Sequence, residues 1–263
     1  MKDKFKIAFF DVDGTLFNHR TKEISKVTID ALKQLKANGI KICVATGRPG
    51  EMLDQLQDYI DDIDFHYVIA SNGQAIFQKN QLVYKNFLHP EDVKTIIKIV
   101  LERDFALSLV GDGFNIINKR NDLIDESFED VGYPKPIIEE VSTSFNKPVD
   151  HLVCYEKIDK MKYFKAHLKH SVMTFWSDDV FDFVPDNGVK VNGIKKVLKH
   201  LKIKPEEAIA FGDGQNDITM LEYVGFGVAM GNAGQYVKEA SDYVCESIDD
   251  DGVYLTLKSM ELI

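Results

Sequence analysis

Asp11 and Asp13 stand two residues apart where an apolar run ends, in the stretch "FFDVDGTLFN". Side chains two apart can point the same way as a strand ends, so both carboxylates can address one substrate. An Asp-Gly dipeptide is also an ordinary turn, and alone the motif reads as a polar strand end. The sharper reading is a phosphate- or metal-handling site in which the acids divide the work. A nucleophilic carboxylate must be ionised, whereas an acid that protonates a leaving oxygen must hold its proton. Crowded like charges, a metal ion and local hydrogen bonds can push two such pKa values apart. Asp11 as nucleophile and Asp13 as general acid and base fit that scheme. Gly14 permits a tight turn and Thr15 can hydrogen-bond back to fix the loop.

Two more polar clusters follow apolar runs. "ATGR" supplies the hydroxyl of Thr46 and, at Gly47, a backbone N–H that can approach a phosphate oxygen closely. Arg48 reads more readily as a surface ion pair than as a substrate ligand. In "FGDGQND", Asp213 and Asp217 are four apart, with Asn216 between strand end and helix. A hard divalent cation such as Mg²⁺ prefers carboxylate and carbonyl oxygens plus water. Asp11 and Asp213 could share one such ion, with a backbone carbonyl from the first loop. Asp217 reads equally as a charge favoured by a helix start. A phosphate facing several carboxylates also needs positive charge, and Lys190 in "DNGVKVNGI" can supply it.

The elements that must aim these groups form two grammars. "FKIAFF", "IKICVATG" and "HYVIAS" read as strands buried on both faces. Between the first two, Ser25 caps a helix with Val27, Ile29, Leu32 and Leu35 on its apolar face, and Gly39 stops it. Pro49 is placed to open the next helix. Strand, helix, strand, helix, strand predicts an α/β fold with a doubly wound, mostly parallel sheet and a Rossmann-like core. "AIFQKNQLVYKNF" reads as a hairpin around Lys79-Asn80. From there to about residue 186 come a helix after Pro90, the strand-like "FALSLV", "FNIIN", "HLVCY" and "FDFV", and a helix near 159–169. "VGYPKPIIEE" reads as a loop among them. This stretch predicts an inserted α+β module, 84–186, within a core made of 1–83 and 187–263. The core then resumes with a helix near 192–201, strands in "EEAIAFGD", "GFGVAM" and "DYVCES", and intervening helices. Ligands of open parallel sheets bind outside the carboxyl ends of the strands, so the polar clusters would converge on one crevice.

The net charge of -10 argues against a nucleic-acid or anionic-membrane binder, which would show a basic patch or excess. Cys43, Cys154 and Cys245 are far apart in apolar runs, which predicts buried, reduced thiols in a cytoplasmic protein. No apolar run approaches the roughly 20 residues that cross a bilayer, and "MKDKFKIAFF" leads into the first motif without room for a signal peptide.

Together, "DVDGTL", "ATGR", Lys190 and "GDGQND", in this order over the whole chain, resemble the four motifs of the haloacid dehalogenase-like phosphatases of the Cof type. "GFGVAMGNA" and "DDDGVYLTL" are similar to the C-terminal segments of that subfamily, and the insertion corresponds to its α/β cap domain. The resemblance implies a Mg²⁺-dependent phosphatase acting through an aspartyl-phosphate on Asp11, with Asp13 as acid and base. It implies that Asp11, the backbone carbonyl of Asp13, and Asp213 hold Mg²⁺. Thr46, Gly47, Lys190, Asn216 and the backbone at Val12 would grip phosphate oxygens, with Thr15 and Asp217 in support. Many relatives carry Lys-Gly at the third motif; here Val191 follows Lys190 and the glycine is Gly193, which leaves Lys195 and Lys196 as alternatives. The implied partner is a small phosphorylated metabolite, commonly a sugar phosphate, with no nucleic acid or membrane, bound by a monomer or weak homo-oligomer. Two other activities fit the same residues: a phosphomutase, and a non-enzymatic phospho-acceptor module, against which Asp13 and the insertion argue.

Overall fold

The apolar run ahead of Asp11 forms β1, Ile7–Phe10, with every residue buried. The computed structural model describes residues 4–48, 57–111, 113–129, 135–177, 179–186 and 189–263. After β1 come a short β2–β3 pair (Phe17–Asn18, Glu23–Ile24), α1 (Lys26–Ala37), β4 (Lys41–Ala45), α2 (Gln57–Ile63) and β5 (Tyr67–Ala70). The hairpin β6–β7 follows, Ala75–Gln78 and Gln81–Lys85. Then come α3 (Pro90–Arg103), β8 (Leu107–Gly111), β9 (Phe114–Ile117), α4 (Asp122–Glu129) and β10 (Ile137–Ile138). The strands β11 (His151–Cys154), β12 (Ser171–Ser177) and β13 (Val180–Pro185) follow. The chain closes with α5 (Lys190–Leu201), β14 (Ala208–Gly212), α6 (Ile218–Tyr223), β15 (Phe226–Ala229), α7 (Gln235–Glu239), β16 (Tyr243–Val244) and α8 (Gly252–Ser259).

These elements divide into two compact units, Met1–Lys85 with Gly188–Ile263, and Asn86–Asn187. The first holds an eight-stranded sheet in the order β16-β15-β14-β1-β4-β5-β6-β7. Its pairings are parallel from β16 to β5 and antiparallel only across the β6–β7 edge. The expected mostly parallel α/β sheet is therefore borne out. Its inner strands β1, β4, β5, β14 and β15 are buried on both faces, which is why they read as continuous apolar runs rather than alternating ones. Phe10, Ile42 and Phe211 pack with Leu32 and Leu35 of α1 and Leu257 of α8. Phe9, Cys43 and Ile69 face Ile194 and Leu198 of α5 and Met220 of α6. The chain leaves β1 toward β4 on one side and later returns to β14 on the other, so the sheet's topological switch point lies between β1 and β14.

The second unit is a six-stranded sheet, β10-β9-β8-β11-β13-β12, antiparallel except between β9 and β10. Ile96, Ile97 and Val100 of α3 pack on its face with Phe164, Phe181 and Phe183.

Three local readings change. The stretch expected as a helix near 159–169 forms only a 3₁₀ segment, Ile158–Tyr163, after which turns place Phe164 in the core. On α1 the buried face is Thr28, Ala31, Leu32 and Leu35, while Val27 is 42% exposed. Those four positions share one side at 3.6 residues per turn, and Val27 does not. The strand β12 and helix α4 were not expected. Pro49, residues 131–134 of the expected loop and the expected return boundary at 187 lie outside the described residues.

Candidate active site

Asp11 follows β1 directly, and Asp213 follows β14. These strands are parallel neighbours in the register Phe10↔Phe211, so their ends bring both acids to the switch point. The backbone N–H of Asp11 donates to the carbonyl of Phe211 at 2.9 Å, continuing the ladder one residue past the strand. The turn behind Asp13 then needs glycine. Gly14 has φ +85°, and a Cβ there would lie 2.2 Å from Oδ2 of Asp213. Thr15, buried, donates to Asp213 Oδ1 at 2.9 Å. The first loop is thus tied directly to the fourth motif.

Lys190 is the first residue of α5 and is 1% exposed. Its ammonium donates to Asp11 Oδ1 at 2.5 Å and to Asp217 Oδ1 at 2.6 Å. A cation at a helix N-terminus opposes the dipole; here the two carboxylates hold it. Lys195 and Lys196 lie instead over the rings of Tyr223 and Tyr84. Gly193 has a separate task. A Cβ there would meet Ile69 Cγ2 at 2.4 Å and Gly73 Cα at 3.1 Å, so the glycine lets α5 lie close on β5 and the loop after it.

Asp217 is fully buried and spends both oxygens on the frame. Oδ1 takes Lys190, and Oδ2 accepts the backbone N–H groups of Asp213 and Gly214 at 3.0 and 2.9 Å. It is an anchor for the loop rather than a helix-start charge alone. Asp11, Asp213 and Asp217 each offer an oxygen within 4.8 Å of the others. Three carboxylates are therefore crowded around a single ammonium, which bonds two of them. Burial, then the neighbouring Asp217 carboxylate, push Asp11 well above the ordinary carboxylate range despite Lys190, and Asp213 adds to the rise. Burial also raises Asp213, against the Thr15 hydrogen bond. Burial alone would lower Lys190, but Asp11 and Asp217 outweigh it and hold the ammonium charged. The excess of crowded oxygen donors fits a hard divalent cation.

Asp13 points to a different partner. Arg48 donates to it twice, Nε to Oδ2 at 2.8 Å and an η nitrogen to Oδ1 at 2.6 Å, and His19 Nε2 lies 3.0 Å from Oδ1. The Arg48 guanidinium lies over the ring of Phe17, 5.2 Å from its centroid. The ion pair expected of Arg48 is thus made with the second aspartate of the first motif.

Val12 is buried, and its carbonyl accepts the backbone N–H groups of Thr15, Leu16 and Phe17, closing the loop. Thr46 is fully buried, with Oγ1 accepting from the N–H of Arg48 at 3.0 Å. Gly47 and Asn216 meet around Asn72, to whose Oδ1 the Asn216 side-chain amide donates at 3.0 Å. Every expected site residue lies on the loops at the carboxyl ends of β1, β4 and β14, or at the start of α5.

Two residues escaped the sequence reading. Asn72 has φ +51°, and its N–H donates to the carbonyl of Thr46 at 3.0 Å, which docks the loop after β5 on the second motif. Asn232 donates to the carbonyl of Gly14 at 2.9 Å and lies 3.4 Å from Asp213 Oδ2. Its signal was the "GNA" that ends "GFGVAMGNA"; for Asn72 it was "SNG", whose Asn-Gly is a left-handed turn dipeptide.

Residues 8–257 match the sequence profile of the haloacid dehalogenase-like hydrolases. The chain belongs to that family. Among solved haloacid dehalogenase-like structures, BT1666 from Bacteroides thetaiotaomicron, a phosphatase of the superfamily, shares 30% identity at a TM-score of 0.89, over 98% of this chain and 96% of that one. The subclass IIB sugar phosphatase BT4131 shares 32% identity at a TM-score of 0.81, over 98% of this chain and all of that one. By sequence, the chain is 27% identical over 278 residues to the 5-amino-6-(5-phospho-D-ribitylamino)uracil phosphatase YwtE of Bacillus subtilis, covering 94% of this chain and 95% of that protein. A haloacid dehalogenase-like hydrolase with phosphatases as relatives over its full length fits a phosphoric monoester hydrolase. No helix among the described residues is long and apolar enough to cross a membrane.

Proposed function

We propose that this hydrolase is a Mg²⁺-dependent phosphatase of small phosphorylated metabolites, sugar phosphates foremost, and that it works through an aspartyl-phosphate on Asp11. The observation that carries the reading is the ammonium of Lys190, buried between Asp11 and Asp217. That charge opposes the rise that burial and Asp217 impose on Asp11, favouring the ionised form a nucleophile needs, and supplies a cation for phosphate oxygens. Asp11, the backbone carbonyl of Asp13, and Asp213 would hold Mg²⁺, which when bound neutralises charge on the transferring group. Neutralising and orienting that group is most of the catalytic task in phosphoryl transfer.

In the first step an Asp11 oxygen attacks phosphorus, the ester P–O bond breaks, and Asp13 gives its proton to the departing alkoxide. In the second, Asp13 takes a proton from water, whose oxygen attacks phosphorus and returns Asp11 as a carboxylate with free phosphate. The bidentate contact from Arg48 engages both Asp13 oxygens. The acid form of the first step needs that contact loosened, and the substrate's own phosphate is the anion that competes for Arg48. Thr46, the N–H groups at Val12 and Gly47, and Asn216 would bind the remaining phosphate oxygens. The sugar-phosphate class is supported by the relatives named above, one called a sugar phosphatase and one a phosphatase of a phosphoribityl compound.

The purified protein should release inorganic phosphate from an aryl phosphate, and then from a panel of sugar phosphates, only when Mg²⁺ is present. Turnover that survives chelation, or survives Asp11→Asn, would overturn this mechanism. A phosphorylated sugar isomer in place of free phosphate would mark a phosphomutase.

A further inference from the structure

The inserted unit carries a cluster of different donor chemistry. His89, Glu91 and His170 are all exposed, and each offers a ligand atom within 4.8 Å of the others. The imidazoles of His89 and His170 have centroids 4.1 Å apart at an interplanar angle of 41°. Their backbones are fixed from beneath. His89 is the N-cap of α3, and its carbonyl accepts the N–H of Val93 at 3.1 Å. Asp92, fully buried, accepts the N–H groups of Lys169 at 3.2 Å and His170 at 2.9 Å. The His170 carbonyl accepts the N–H of Asp186 at 3.0 Å. The start of α3 and the residues entering β12 are therefore clamped together, with both rings presented at one place.

We propose that His89, Glu91 and His170 form a binding site for a Zn²⁺-class transition ion, with water completing the coordination. Two imidazoles and one carboxylate are the donor set of a borderline divalent ion, whereas Mg²⁺ favours oxygen donors alone. Bonds of about 2.0–2.1 Å in a tetrahedron require ligand atoms nearer to one another than the present spread. Rotation of three exposed side chains supplies that closure without moving the clamped backbone. Two contacts give way. One is the 3.3 Å bond from the N–H of Glu91 to His89 Nδ1, which is at the long limit of a hydrogen bond. The other is the Lys169–Glu91 ion pair, whose side chains are 63% and 50% exposed, so its loss costs little. Occupancy would cross-link α3 to β12 and stabilise the folded inserted unit by mass action.

The test uses the full chain stripped of metal and then held in excess Mg²⁺, which competes for the Asp11–Asp213 region, with Asp213→Asn run in parallel. Zn²⁺ is titrated in against a chromophoric chelator, and Co²⁺ in parallel for its visible absorption. The expected result is one Zn²⁺ per chain and the intense visible band of low-coordinate Co²⁺. Binding should weaken at least tenfold in His170→Ala and vanish in the His89→Ala/His170→Ala double variant, with far-UV circular dichroism unchanged. Glu91→Gln, which keeps both rings, should weaken it at least threefold and serves if the double variant misfolds. A wild-type protein that binds no Zn²⁺, or a double variant that binds it as well as wild type, would overturn the proposal. So would loss of the Zn²⁺ site in Asp213→Asn with the histidines intact.

Discussion

Lys190→Met tests the electrostatics of the candidate site most directly. The ammonium is 1% exposed and sits 2.5 Å from Asp11 and 2.6 Å from Asp217. Methionine matches the length of the lysine stem, so packing is nearly conserved and the main loss is charge. Breaking a buried pair by removing one partner costs about 3–5 kcal/mol, because the other charge stays buried and unpaired. Here two carboxylates lose their shared cation. The cost is capped by protonation, since each pKa unit a carboxyl rises is worth about 1.4 kcal/mol. The sign follows from linkage. In the variant, Asp11, already raised by burial and Asp217, loses the opposing Lys190 charge, so its destabilisation is absent below the unfolded carboxylate range and grows as pH rises from there to its raised value. Metal-free protein should therefore lose about 3–5 kcal/mol at pH 7.5 and under about 1.5 kcal/mol near pH 4. For a unit of this size the neutral-pH loss is a fall in Tm of roughly 6–20 °C. Urea midpoints with chelator present, at four or five pH values, measure it. Adding Asp217→Asn to Lys190→Met should recover about 1–2 kcal/mol at pH 7.5, because one of the stranded charges is gone. A loss that is the same at pH 4 and pH 7.5, or below about 1 kcal/mol throughout, would refute the shared-cation account.

Gly193→Ala places a methyl 2.4 Å from Ile69 Cγ2 and 3.1 Å from Gly73 Cα, so the Ile69 side chain or α5 must shift. A loss of about 1–3 kcal/mol in urea melts is expected, with phosphate release falling further than stability as Lys190 shifts. The thiols of Cys43 and Cys154 are buried, and burial pushes both pKa values up. Native protein should leave both unmodified by a thiol reagent at pH 8 and expose all three cysteines in urea. By linkage, their contribution to stability is present below the ordinary thiol pKa and is lost as pH rises above about 9, measurable as a falling Tm.

The first motif, the second and the fourth were legible because each stands where an apolar run meets polar or glycine residues, and Lys190 because it stands where the α/β pattern resumes. In a parallel sheet buried on both faces, such junctions are strand ends. The α1 face was harder to read, since Val27 looks apolar in sequence yet is exposed, while Thr28 and Ala31 take core positions. The helix expected near 159–169 was lost to tertiary context, where burial of Phe164 against Phe181 and Phe183 holds the chain in turns. Short sequence windows carry periodicity and turn chemistry but not the partner a side chain will meet.

By itself, then, the sequence determined the α/β core, the order of the motifs and the residue types that could act on a phosphate. Its periodicities and glycines are local, and local physics suffices to place strand ends. Only the tertiary structure decided who meets whom. It gave Lys190 to Asp11 and Asp217, spent Asp217 on the backbone of its own loop, and paired Asp13 with Arg48. Those partnerships span up to 179 residues of chain and depend on the register of β1 against β14 and on the close seat of α5 at Gly193. Hydrogen bonds and ion pairs act over a few ångströms, and only packing brings groups so distant in sequence within that range.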